Sequence, residues 1–416
     1  MQNNFEKSSA EYKQEESARK EEREKIVNEI VENLKKAQKD EASVEDVILG
    51  LSGIGSHESI TLRRELLREY KGEYNGLIAR SLINVGNAES MELRKELQDK
   101  GVGSKEIALS LTGVMTSEAM LWRRKLIQEA VGENNYNLLK NIAESLAGID
   151  TTEARELREL LKSSGLKNED LILSFTGISN EEAMEFRWKL FNEAVKDNRS
   201  FDLLRNIAYS LAGVDNDDSF ELREKLLEKI SQNYSSYEYD ALMSIAMSLT
   251  GVKSQKSIDF RKKLLKKFGE REVKQEFLIF SLLTSLAGVD SDESMKLREE
   301  LYEQFKTTEF ESSERFLDSR GFDSYTADEK IKEGLRKEGI KYLLFNFAAS
   351  FAGVNNSKAE ELKKKYFIDN PDIFDIFTKS SFTESISFKA TLMAKSYFTD
   401  HWPIFDAIVC RYGYEK

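Results

Sequence analysis

The sequence predicts an all-α chain, a solenoid of about ten helix-turn-helix repeats, and three observations predict it. Proline is nearly absent. Only Pro371 and Pro403 occur in 416 residues, where ordinary usage gives about twenty. Proline lacks an amide N–H and clashes with the preceding turn, so its absence before residue 371 favours uninterrupted helices. One motif also returns about every 33 residues, as in SLAGIDTTEARELREL from Ser145 and SLAGVDSDESMKLREEL from Ser285. A fixed period of this size marks a repeat array. Finally, the residues flanking each motif are apolar at helical spacing, as with Leu139, Ile142, Ala143 and Leu146.

In chain order, residues 1–21 mix both charge signs, lack the apolar core of a secretory signal and read as a disordered or frayed tail. Residues 22–42 form an amphipathic helix expected to cap the first repeat, since terminal repeats are atypical. The array covers 43–366 and weakens over 302–345, where a loosely packed repeat with an exposed loop is expected. Residues 367–416 are aromatic-rich. They are expected to close the array as a helical cap, or to offer a docking surface, because aromatics dominate interface hot spots.

The columns of the repeat explain its physics. The reference glycine falls at Gly53, Gly113, Gly148, Gly177, Gly213, Gly251, Gly288 and Gly353. Asn84 replaces it in the second copy, and a degenerate copy sits at Gly321 if one inserted residue is allowed. Glycine just past a helix end reaches the left-handed region without a Cβ penalty, and asparagine is the usual second choice. Three residues on comes a helix N-cap type in every copy, from Ser56 and Asn87 to Ser324 and Asn356. Acidic residues follow in most copies and suit the positive end of the helix dipole, with Lys256 and Lys358 as departures. The second helix then carries a small residue (Ser59, Ala119, Ser219), a large one (Leu62, Trp122, Leu222) and a leucine (Leu66, Leu126, Leu226). Neither helix buries its stripe alone, so the units must stack.

Alternate copies differ. Thr112, Thr176 and Thr250 precede the glycine in one set, and Ala147, Ala212, Ala287 and Ala352 in the other, which also carries Asp150, Asp215 and Asp290 two residues after it. The first set has Arg64, Arg124, Trp188 and Lys262 late in the second helix, where the other has Glu159, Glu224 and Glu299. This suggests four-helix modules of about 65–75 residues. The alternation reads either as complementary packing between unlike neighbours or as a groove of alternating sign.

The most informative polar feature is an arginine ten residues after the turn: Arg63, Arg94, Arg123, Arg158, Arg187, Arg223, Arg261 and Arg298, with Lys363 in the last copy. Helical geometry puts it at the edge of the packed face, where a guanidinium must be paired. It either ties adjacent repeats, donating to carbonyls at a first-helix end or to the serine three before the glycine (Ser110, Ser145, Ser174, Ser210, Ser248, Ser285, Ser350), or forms a cation ladder that contacts a partner. Trp122, Trp188 and Trp402 are candidate aromatic contacts.

A net charge of −12 weighs against non-specific nucleic-acid binding. A single cysteine, Cys410, forms no internal disulfide and suggests a reducing, cytoplasmic compartment, and no 18-residue apolar run predicts a membrane span. Two distant histidines, His57 and His401, make no metal site, and no catalytic or phosphate-binding motif occurs. No catalytic, metal or cofactor residue is therefore expected. The two-helix unit with its tight glycine turn resembles the broad α-solenoid class of HEAT, armadillo, tetratricopeptide and Pumilio-type arrays. The resemblance implies a right-handed solenoid and covers 43–366; the tetratricopeptide W-x2-LG-x2-Y pattern and the ankyrin TPLH signature are missing. The leading expectation is a non-enzymatic scaffold holding a peptide or protein partner. Single-stranded RNA recognition through the arginines and self-assembly through the C-terminal cap are the alternatives.

Overall fold

A computed structural model describes residues 44–196, 201–231, 236–269, 275–307 and 356–368, with isolated positions between 28 and 35 and between 347 and 354. The expectations for 1–21, most of 22–42, the Gly321 copy, Trp402 and nearly all of 367–416 fall outside these residues. Within them every regular element is a helix and no strand occurs.

The helices come in pairs around the turns expected from the sequence. Ser104–Ser110 and Ser117–Gly132 flank Gly113, Tyr136–Ser145 and Thr152–Ser163 flank Gly148, and Phe201–Ser210 and Asp217–Ile230 flank Gly213. At Gly177 the first element is short, Asn168–Leu171 running into the 3-10 turn Ile172–Phe175. The turn glycines from Gly53 to Gly288 have φ between +72° and +76°, and Asn84 has +62°. This left-handed step reverses the chain after the first helix. Eight side chains then cap the second helix by accepting from the amide three residues on: Ser56, Asn87, Thr116, Thr151, Asn180, Asn216, Ser291 and Asn356.

Each pair packs against the next. First helices contact first helices, as in Ser104–Ser110 with Tyr136–Ser145, and second helices contact second helices, as in Ser117–Gly132 with Thr152–Ser163. One continuous apolar core runs through all of them, from Val31 to Leu362. Leu34 from the capping segment packs against that core and lies against Gly50, so the array's first turn is covered from the N-terminal side.

The turns themselves nest. The Gly53 amide donates to the Ser81 carbonyl, Asn84 to Thr112, Gly148 to Thr176 and Gly213 to Thr250, each in the following unit. At Gly113 a Cβ would fall 1.6 Å from Asn84 Oδ1, at φ +75°. Gly101 has φ +86° and open space around it. Gly101→Ala should therefore cost about 1 kcal/mol from backbone strain alone. Gly113→Ala should cost clearly more in urea melts, and adding Asn84→Gly should remove the excess.

The copy expected at Gly321 lies outside the described residues. Arg298 of the Gly288 unit bonds Ser350 directly, and Asp292–Thr307 packs on Ser357–Ile368. The Gly288 unit thus contacts the Gly353 unit. The pattern match at Gly321 needed an inserted residue, and the position three before it is Asp318, an anion in place of the serine found elsewhere.

Candidate functional site

The eight arginines build one repeated site, at the junction between units. Seven are 0% exposed and Arg158 is 3% exposed. Arg223 shows the arrangement. Its Nε donates to Ser248 Oγ at 3.0 Å, and one terminal nitrogen donates to the carbonyls of Leu211 (2.8 Å), Val214 (3.1 Å) and Ser248 (2.8 Å). The other donates to Ser219 Oγ at 2.8 Å. Leu211 and Val214 bracket the end of its own first helix, and Ser248 ends the first helix of the next unit. The guanidinium therefore sits between the negative ends of two helix dipoles and closes both.

The same fork recurs along the chain. Nε of Arg63, Arg94, Arg123, Arg158, Arg187 and Arg261 donates to Ser81, Ser110, Ser145, Ser174, Ser210 and Ser285 respectively. Each serine passes its own proton back one turn, as Ser248 does to Ile245 O. The Arg fork matches this set of acceptors, and a lysine could not span it. Arg158, Arg223 and Arg298 also lie over the rings of Phe175, Phe220 and Phe351.

Burial pushes the guanidinium pKa down, to about 9 at Arg94, Arg123, Arg187, Arg223, Arg261 and Arg298 and to about 10 at Arg158. Neighbouring rungs add to it, Arg63 acting on Arg94, and Arg94 and Arg158 on Arg123. At neutral pH the ladder is charged, and the carbonyls and serines offset the cost of its desolvation.

These side chains do not line an open groove. An arginine fully enclosed by protein offers nothing to a phosphate or a peptide carboxylate. Trp122 is 8% exposed and packs in the core. Trp188 is half-buried, edge-on to Phe191, and its indole N–H donates to Asp218 of the following unit at 2.7 Å. Neither indole is a free stacking platform.

The alternation between copies resolves into contacts of the same kind. Asp150 accepts from Asn180, Asp215 from the hydroxyl and amide of Ser254, and Asp290 from Asn356, each the N-cap of the unit stacked next. At exposed second-helix edges Arg64 pairs with Glu96, Arg124 with Glu156, Lys263 with Glu224 and Lys365 with Glu299. Lys256, a departure from the acidic column, meets Asp217. His57 opens a helix, and its Nδ1 is 3.0 Å from Glu89 of the next unit. Such exposed pairs contribute little, since water and salt screen them.

Partial burial opposes ionisation of Asp150, but hydrogen bonds from Arg155 and Asn180 outweigh it and hold its pKa below the usual 3.8. A carboxylate depressed in this way stabilises the fold above that value and loses its contribution as pH falls through it. Asp150→Ala should cost about 0.5 kcal/mol at pH 7, reduced by solvent screening. The difference from the unaltered chain should narrow in urea titrations as the pH is lowered below the usual carboxylate range.

Sequence reasoning missed the small residue of the second helix as a polar relay. Ser59, Ser90, Ser219, Ser257 and Ser294 each donate to the turn carbonyl five residues back and accept from the arginine four residues on. A methionine sulfur also lies against the arginine at Met120 and Met184, beside alanines, and at Met91 and Met295, beside serines. Among the described residues no His, Cys, Asp and Glu group could hold a metal ion, and no helix is long and apolar enough to cross a membrane. No family model and no curated protein matches the chain.

Proposed function

We propose that the chain is a non-enzymatic scaffold, a right-handed solenoid of nine stacked two-helix units that holds a peptide or protein partner along its first-helix face. One observation carries this reading. The positions that build the joint barely change from copy to copy, whereas the outward positions of the first helix change freely. Eight residues before the turn stand Lys105, Lys140, Glu169 and Arg205, none of them buried. Packing fixes the first class and leaves the second open to a partner. The units count from Gly53 to Gly353, with Asn84 included and Gly321 left out. Recognition of RNA loses its support, because the arginines and tryptophans that favoured it are committed to the joints.

The test is affinity capture from the native lysate with two full-length baits, the unaltered chain and a Lys105→Glu, Lys140→Glu, Glu169→Lys variant. The expected result is a stoichiometric protein retained by the first and lost by the second at unchanged melting temperature. Nuclease-sensitive nucleic acid on the bait, or capture indifferent to the substitutions, would overturn the reading.

A further inference from the structure

The second helices of the Gly213 and Gly251 units, Asp217–Ile230 and Gln255–Gly269, leave a cleft of about 550 Å³ between them. Its floor is Phe220 and Phe260, with ring centroids 6.3 Å apart. Five carboxylates line it, Asp217, Asp218, Glu221, Glu224 and Asp259, against two cations, Lys256 and Lys263. Both cations are committed, Lys256 to Asp217 and Lys263 to Glu224. Three carboxylates are left without a cation among the described residues. Asp218 accepts the Trp188 indole N–H, Asp259 accepts from the Gln255 side-chain amide, and Glu221 is exposed.

The joint itself does not need an aromatic ring at Phe220. Seven residues after the turn most other copies carry isoleucine or methionine, as at Ile60, Met120 and Met184, and none carries an aromatic. Met120 and Met184 lie against their joint arginines as Phe220 lies against Arg223. What the ring adds is a π face for a cation on the cleft side. The Lys256 ammonium already sits over that ring, 5.0 Å from its centroid. This exposed lysine is held there by a pair with Asp217, whose side chain is 97% exposed. Such a pair is weak, because water and salt screen both charges. Lys256 therefore marks a cation position on the ring without being locked into it.

We propose that this cleft takes an arginine side chain from a basic segment of a partner protein. The guanidinium displaces the Lys256 ammonium from the face of Phe220, and Glu221 and Asp259, one from each helix, supply the counter-charge. Arginine suits the cleft better than lysine does. Its weakly hydrated plane stacks on a ring while its edge donates to carboxylates. Among the described residues no acidic group is arranged to hold a metal ion, so the charge of the cleft calls for an organic cation. The site lies on the second helices and goes beyond the first-helix reading without depending on it.

Fluorescence anisotropy on the purified full-length chain tests this, with a labelled peptide of alternating glycine and arginine and the same peptide carrying neutral citrulline. The arginine peptide should bind saturably and the citrulline peptide should not. Glu221→Gln with Asp259→Asn should weaken binding about fivefold or more. The same loss of charge at the next joint, Asp292→Asn with Glu300→Gln, should leave it unchanged. That contrast separates the cleft from the general attraction of a chain with net charge −12. Phe220→Leu should weaken binding about three- to tenfold at constant charge. Lys256→Ala should tighten it more than Lys263→Ala, although each removes one cation. Both lysines are exposed, so this comparison holds even where Phe220→Leu disturbs the fold. Equal weakening at the two joints, or equal effects of the two lysine variants, would overturn the proposal. Neither result bears on the scaffold reading, whose own test changes first-helix charges and reads capture from lysate.

Discussion

Replacing Arg223 with alanine is expected to lower stability by about 3–5 kcal/mol, a large fraction of what holds a domain together. The substitution removes the donor to the buried Ser248 carbonyl, takes one of two donors from the carbonyls of Leu211 and Val214 and the arginine's bond from two serine hydroxyls, and opens a cavity where two units meet. A stranded acceptor costs ~1–3 kcal/mol unless water enters. A graded series separates charge from geometry. Arg223→Lys keeps the cation but loses the fork, and Arg223→Met keeps much of the volume but no donor. The expected order of urea midpoints is Arg, then Lys, then Met, then Ala. Ser248→Ala removes one acceptor and should fall by ~1–3 kcal/mol. If the cation served only an external partner, all four variants would melt alike.

Much of this joint was legible in the sequence because each part obeys a local rule. Glycine at the turn follows from a left-handed φ, and Asn84 obeys the same rule. The N-caps follow from orphan amides, and the arginine stood out because no exposed face needs the same cation in every copy. Its direction was not legible. Whether a side chain at the edge of the packed face turns inward or outward depends on acceptors brought close by stacking, such as Ser248 O, which lies 25 residues away in the chain. The Asp–N-cap links are hidden for the same reason, since Asp150 and Asn180 are 30 residues apart and their pairing depends on the pitch of the stack. Serine at Ser219 looked like a concession to close helix approach, yet its hydroxyl carries a bond in each direction.

The alternation of copies belongs to the same physics. An aspartate after the turn reaches the N-cap of the next unit, and Gly148 and Gly213 donate to the threonines that precede Gly177 and Gly251. Two kinds of joint therefore alternate, one with this aspartate stitch and one without. In the other kind an N-cap asparagine donates to the preceding turn, as Asn87 does to Gly55 O and Asn216 to Ser179 O. A quasi-one-dimensional stack divides its stability between units and interfaces, so unequal joints set where it opens first.

Arg298→Ala is the companion experiment, because its place in the array predicts a different outcome from Arg223→Ala. Arg298 bridges 52 residues to Ser350 and is the rung that holds the Gly353 unit. Its loss should strip amide-exchange protection from 347–368 by several kcal/mol, while the units from Gly113 to Gly213 keep theirs. Loss at Arg223, in mid-array, should instead divide the melt into two transitions. Because the Gly288 and Gly353 units meet directly, residues 308–338 are expected to be dispensable for the joint between them. Other second helices connect to the next first helix through three to five residues, as between Gly132 and Tyr136 or Glu69 and Asn75. Shortening 308–338 to a Gly/Ser linker of about that length should leave the melting midpoint and the exchange protection of Ser350 unchanged. The same shortening combined with Arg298→Ala should reproduce the loss seen with Arg298→Ala alone. A collapse of the C-terminal unit on shortening alone would mean that residues 308–338, and not the arginine, hold it in place.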